Sequence, residues 1–135
     1  MSEVTNRRTE FRNIHISQII KYRLPPAGII SILHRISGAF LFLLLPFTLY
    51  LLEQSLVSED TYAHLRGFAS NWWMKLIILA LSSAYLLHFL AGVRHLAMDS
   101  HVGLDKKSSN HTSIGVLAAT LLLSLAIALK LFGVF

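Results

Sequence analysis

Three long apolar runs, residues 36–52, 76–93 and 112–129, constrain this chain more than any other feature. Each extends at its ends to about 20 residues or more, the length that crosses a hydrocarbon core of roughly 30 Å at 1.5 Å per residue. With 54% hydrophobic and 14% charged residues in 135, the chain is not an ordinary soluble domain. The pattern predicts an all-α membrane protein with three transmembrane helices, near residues 29–52, 73–98 and 113–135. There are no cysteines, which excludes disulfides, thiolate metal sites and a self-contained iron–sulfur cluster.

The net charge of +5 is unevenly placed. Arg7, Arg8, Arg12, Lys21 and Arg23 precede the first span, and Lys106 and Lys107 follow the second. Between the first two spans lie Glu53, Glu59 and Asp60 against Arg66. The positive-inside rule then predicts a cytoplasmic N-terminus and an outward acidic loop. The basic excess is a topology signal and no nucleic-acid partner is expected. Residues 1–28 are predicted to form a cytoplasmic arm, with a short interfacial helix carried by Ile14, Ile16, Ile19 and Ile20. Pro25 and Pro26 end that helix, since neither donates a backbone hydrogen bond. The N-terminus does not have the pattern of a signal peptide, so no cleavage is expected. Pro46 should kink the first span mildly. Tyr50, Trp72 and Trp73 suit the outer interface, where aromatic residues concentrate.

Two polar clusters interrupt the apolar runs. In residues 88–99, HFLAGVRHLAMD, His88 stands deep in hydrocarbon, where an imidazole by default marks a ligand or a proton path. Ala80, Ala84, His88 and Gly92 fall four apart and form one helical ridge. Its small members leave a recess for a partner helix or a planar cofactor. Neutral imidazole is a common axial ligand of haem, which makes His88 the candidate for iron. His95 shares the His88 face, but roughly 10.5 Å away it is too far to ligate the same iron. Asp99 reads as a solvated helix end, although a carboxylate there opposes the helix dipole, which pairing with His95 or Arg94 would justify. Tyr85 reads as packing, and His15, His64, His101 and His111 as ordinary polar residues outside the spans.

In the first span, SILHRISG places Ser31, His34, Arg35 and Gly38 at i, i+3, i+4 and i+7, on one helical face. Arg35 reads either as a positive-inside anchor or, with its polar neighbours, as part of a buried polar site. The two spans bring His34, Arg35 and Arg94 to one depth, just above His88. That is the arrangement of an iron-binding imidazole with cations for two haem propionates.

These two motifs, in this order and on these spans, resemble those of the cytochrome b subunit of succinate dehydrogenase. The likeness covers nearly the whole chain. It implies a single membrane-anchor domain over residues 1–135, part of a helix bundle in the bacterial inner membrane. His88 would be an axial ligand of haem b, with the second ligand from another small membrane-anchor subunit. Ser31 and Arg35 would line a ubiquinone site, and His34, Arg35, Arg94 and His95 would meet the haem propionates. The implied soluble partners are an iron–sulfur subunit and a flavoprotein subunit, where succinate is oxidised. The chain itself would have no succinate chemistry. Two other classes fit the residues: the anchor of a quinol:fumarate reductase, and a small non-redox transport or structural membrane subunit.

Overall fold

The structure is a computed structural model that describes Ser17 and residues 24–133. The expected interfacial helix lies outside these residues except for Ser17, which is helical. Four helices follow: α1 (Pro26–Val57), α2 (Glu59–Ala69), α3 (Trp72–Asp99) and α4 (Lys106–Leu131). Of these, α1, α3 and α4 are long and apolar enough to cross a membrane. No strand occurs among the described residues. In a bilayer backbone polar groups find no water, and a helix satisfies nearly all of them within its own segment. The all-α membrane architecture is as expected from the sequence.

Helix α1 starts where the two prolines allow it. Pro25 is extended (φ −67°, ψ 156°), Pro26 occupies the first turn, and the Pro25 carbonyl accepts from Gly28 and Ile29. Proline suits that turn because its missing N–H has no intrahelical role there. The helix then runs through Pro46 to Val57.

The connection between α1 and α3 is more ordered than a loop. Ser58 caps α2, accepting from the Thr61 N–H, while Thr61 Oγ1 accepts from the Ser58 N–H. Thr61 Oγ1 also reaches the Gln54 carbonyl at 2.8 Å, which folds α2 back onto the end of α1. A cavity of about 180 Å³ beneath α2 is lined by residues including Phe47, Leu65, Phe68, Met74 and Ile78. The sequence expectation of a plain acidic loop missed this helix, because its length of 11 residues falls far short of a span.

Helix α3 returns antiparallel to α1, and α4 runs back beside α3, so that Trp72 meets Phe132 with ring centroids 4.8 Å apart. Helix α4 begins at Lys106, about two turns before the start expected from hydropathy. Asp105 caps it, its carboxylate accepting from the Ser108 N–H at 2.8 Å. Hydropathy detects the part of a helix that suits hydrocarbon, whereas the cap sets where the helix begins.

Packing is reversed relative to a soluble protein. Among the described residues the buried ones are Ile30, Ser37, Ala91, Arg94, Ser113 and Thr120, while Phe42, Leu43, Leu121 and Leu122 are exposed. Lipid tails are as apolar as leucine, so helices associate through small and polar residues that pack closely or hydrogen bond. The buried hydroxyls bond back along their own helices: Ser37 to His34 O, Ser113 to Ser109 O and Thr120 to Val116 O.

Candidate functional site

His88 projects from α3 into α1 and is fixed at one ring nitrogen. Its Nδ1 lies 3.1 Å from the His34 carbonyl and 3.3 Å from Ser37 Oγ. A carbonyl only accepts, so Nδ1 carries a proton, and in the neutral ring Nε2 then keeps its lone pair. Among the described residues nothing hydrogen-bonds to Nε2. A metal-binding histidine typically has this form, one ring nitrogen anchored to a carbonyl and the other free to ligate.

Glycines make this approach possible. A Cβ on Gly38 would stand 2.8 Å from His88 Cε1, so the imidazole occupies the space above α1 that only glycine leaves. The relation is reciprocal, since a Cβ on Gly92 of α3 would meet His34 Nε2 at 3.5 Å. His34 stacks on His88 with centroids 4.3 Å apart and planes 13° from parallel. On its other side His95 lies at 5.0 Å, tilted by 44°. The recess expected along Gly92 is thus used by α1 and its His34 ring. Ala84, on the same ridge, lines a groove with Leu33, Leu117 and Thr120 between α1, α3 and α4.

The helical face of Ser31, His34, Arg35 and Gly38 divides in the tertiary structure. His34 and Gly38 turn into α3, Ser31 is half-buried, and Arg35 is exposed. No ion pair to Arg35 occurs among the described residues. An exposed guanidinium beside a membrane span calls for an anion, a polar ligand or the interface.

Arg94 has a different environment from Arg35. It is buried, and its Nη2 donates to Ser109 Oγ at 2.8 Å and to Ser109 O at 3.1 Å. Nε donates to Thr112 Oγ1 at 3.0 Å. Arg94 therefore ties α3 to the first turns of α4, and only Nη1 lacks a partner among the described residues. Asp99 is exposed and pairs with neither Arg94 nor His95 among the described residues, contrary to the pairing considered from sequence. Ser37, Ser109 and Thr112 were missed in the sequence reading. Ser109 and Thr112 lay in the supposed loop or at its edge, and the signal that reveals them is the Asp105 cap. Ser37 offered no signal beyond lying beside Gly38. Tyr85 is exposed and borders an open groove of about 480 Å³ with Leu41, Leu44, Thr48 and Leu86. Among the described residues no group of three or more His, Cys, Asp or Glu side chains is placed to hold a metal ion by itself. A single imidazole, as on His88, suits an iron already held by a macrocycle.

Residues 12–127 match the succinate dehydrogenase/fumarate reductase transmembrane subunit family. The chain belongs to this family. The subunit is 45% identical over 82 residues to the succinate dehydrogenase cytochrome b556 subunit of Coxiella burnetii, covering 60% of this chain and 66% of that protein. It is 31% identical over 114 residues to the protein of the same name from Paracoccus denitrificans, 84% of this chain and 87% of the relative. With that of Rickettsia felis the identity is 29% over 123 residues, 91% and 92% of the two chains. The resemblance carried by the two motifs is borne out, and the subunit is a multi-pass inner-membrane protein.

Proposed function

We propose that this chain is the membrane-anchor cytochrome b subunit of a succinate:ubiquinone oxidoreductase, and that His88 supplies one axial ligand to a b-type haem. The observation that carries this is the His88 ring itself, anchored at Nδ1 inside a membrane span and, among the described residues, without a hydrogen-bond partner at Nε2. The names of the relatives support the coarser part of this reading, a cytochrome b subunit of a succinate dehydrogenase. One imidazole completes half of a bis-imidazole site, so a second anchor subunit provides the other ligand. His34, Arg35, His95 and the unpaired Nη1 of Arg94 are the groups to meet the propionates. The haem, when bound, supplies a one-electron redox centre within the membrane. The flavoprotein and iron–sulfur subunits dock on the cytoplasmic side, with the Lys106 end of the bundle facing them.

Ser31 and Arg35 line the ubiquinone site in this proposal. The guanidinium, exposed on α1, is free to polarise a quinone carbonyl and stabilise charge developing on its oxygen. Ser31, one turn earlier, donates a hydrogen bond to the same ring. Both stand near the expected cytoplasmic surface, where electrons arrive and protons are accessible.

The test is a dithionite-minus-air difference spectrum of the purified complex, compared among His88→Ala, His64→Ala and His111→Ala. Only His88→Ala should lose the six-coordinate b-type bands. An unchanged spectrum in that variant would move the iron elsewhere. A complex with no haem bands in the wild type would instead favour a haem-free anchor.

A further inference from the structure

Ser37 lies where it can control how strongly His88 binds iron. It is 5% exposed, and its Oγ donates to the His34 carbonyl at 2.9 Å. The same carbonyl accepts from His88 Nδ1 at 3.1 Å. The α-helical pattern directs the Gly38 N–H at it as well. Three donors thus converge on an oxygen with two lone pairs, and each weakens the share of the others. Ser37 Oγ also stands 3.3 Å from His88 Nδ1, so it is a secondary acceptor for that proton, at a longer distance than its own bond to the carbonyl.

We infer that Ser37 is a positioning residue that tunes the donor strength of His88 by competing for the His34 carbonyl. The inference rests on the assignment of His88 as axial ligand. A stronger hydrogen bond from Nδ1–H to a carbonyl makes the opposite nitrogen more basic. A more basic ligand favours ferric over ferrous iron. By occupying part of the carbonyl, the Ser37 hydroxyl limits that effect and holds the haem potential up. The 2.9 Å bond outweighs the 3.3 Å contact, which sets the sign: removing the hydroxyl lets His88 bond the carbonyl more strongly and lowers the potential.

The experiment is a potentiometric titration of the haem in the assembled complex, for wild type, Ser37→Ala, Ser37→Thr and His88→Ala. In Ser37→Ala the haem content and six-coordinate spectrum should persist. Poised at the wild-type midpoint, the ratio of reduced to oxidised haem should fall at least threefold, which is about 28 mV at 59 mV per tenfold. Ser37→Thr keeps a hydroxyl and should titrate as wild type. An unchanged or raised midpoint in Ser37→Ala would overturn the inference, and so would an equal fall in Ser37→Thr. Loss of haem from Ser37→Ala would also overturn it, since the hydroxyl would then hold the site together rather than tune it. His88→Ala separates the two claims: normal haem bands there would remove the ligand assignment itself, whatever Ser37 does.

Discussion

The imidazoles of His34 and His88 stack across the α1–α3 interface, centroids 4.3 Å apart, each ring lying over a glycine of the opposite helix. Gly38 receives His88 and Gly92 receives His34, at unequal tightness. A Cβ would stand 2.8 Å from His88 Cε1 in the first case and 3.5 Å from His34 Nε2 in the second. The first distance forces a movement, whereas the second is an ordinary contact.

Gly38→Ala should therefore displace His88 and remove most of the haem from the complex, while Gly92→Ala should keep it. Haem per flavin in the purified complexes measures the difference. A larger loss in Gly92→Ala would contradict the arrangement.

Arg94 should act through α4. Arg94→Gln and Ser109→Ala should each lower the thermal midpoint of the complex, and the double variant should fall by less than their sum. Polar contacts between membrane helices couple by about 1 kcal/mol, somewhat more where one partner is charged. A double-mutant cycle on thermal stability measures this, and additive losses would deny the contact an energetic role.

Ser31→Ala and Arg35→Lys should separate quinone reduction from succinate oxidation. Loss of one hydrogen-bond donor costs about 1 kcal/mol, and lysine keeps the charge of Arg35 but loses its planar fork. Reduction of a ubiquinone analogue should fall several-fold in both variants, while succinate-driven reduction of an artificial acceptor at the flavin survives. Wild-type quinone rates at limiting quinone would leave SILHRISG as an anchor and packing motif.

His101 holds a conformation that glycine adopts more easily. Its φ is 63°, and the Val102 to Ala97 and His101 to Met98 backbone bonds close α3 in a Schellman motif. His101→Gly should stabilise the subunit by about 0.5–1 kcal/mol, read as a higher thermal midpoint with unchanged haem. His101→Val should do the reverse.

Much of this protein is legible in its residues alone. The three spans follow from apolar length, and the family from two short motifs with a fixed order. The special standing of His88 follows from the cost of an imidazole in hydrocarbon. Element ends were less legible. Hydropathy reports what suits lipid and passes over α2 and the first two turns of α4, which depend on the caps at Ser58 and Asp105.

The partners of each polar group required the tertiary structure. In sequence, Arg35 and Arg94 are two cations at one depth. In the fold, Arg35 is exposed and Arg94 is buried against Ser109 and Thr112. Helical periodicity gives the face on which a residue lies, but the rotation of one helix against another decides what that face meets. That rotation is set by how closely backbones approach, and here it depends on Gly38 and Gly92 leaving room for two imidazole rings. The chain alone thus determined which groups must find partners in the membrane, because hydrocarbon leaves none unsatisfied without cost. Only packing decided that His88 finds the His34 carbonyl and that its other nitrogen has no hydrogen-bond partner among the described residues.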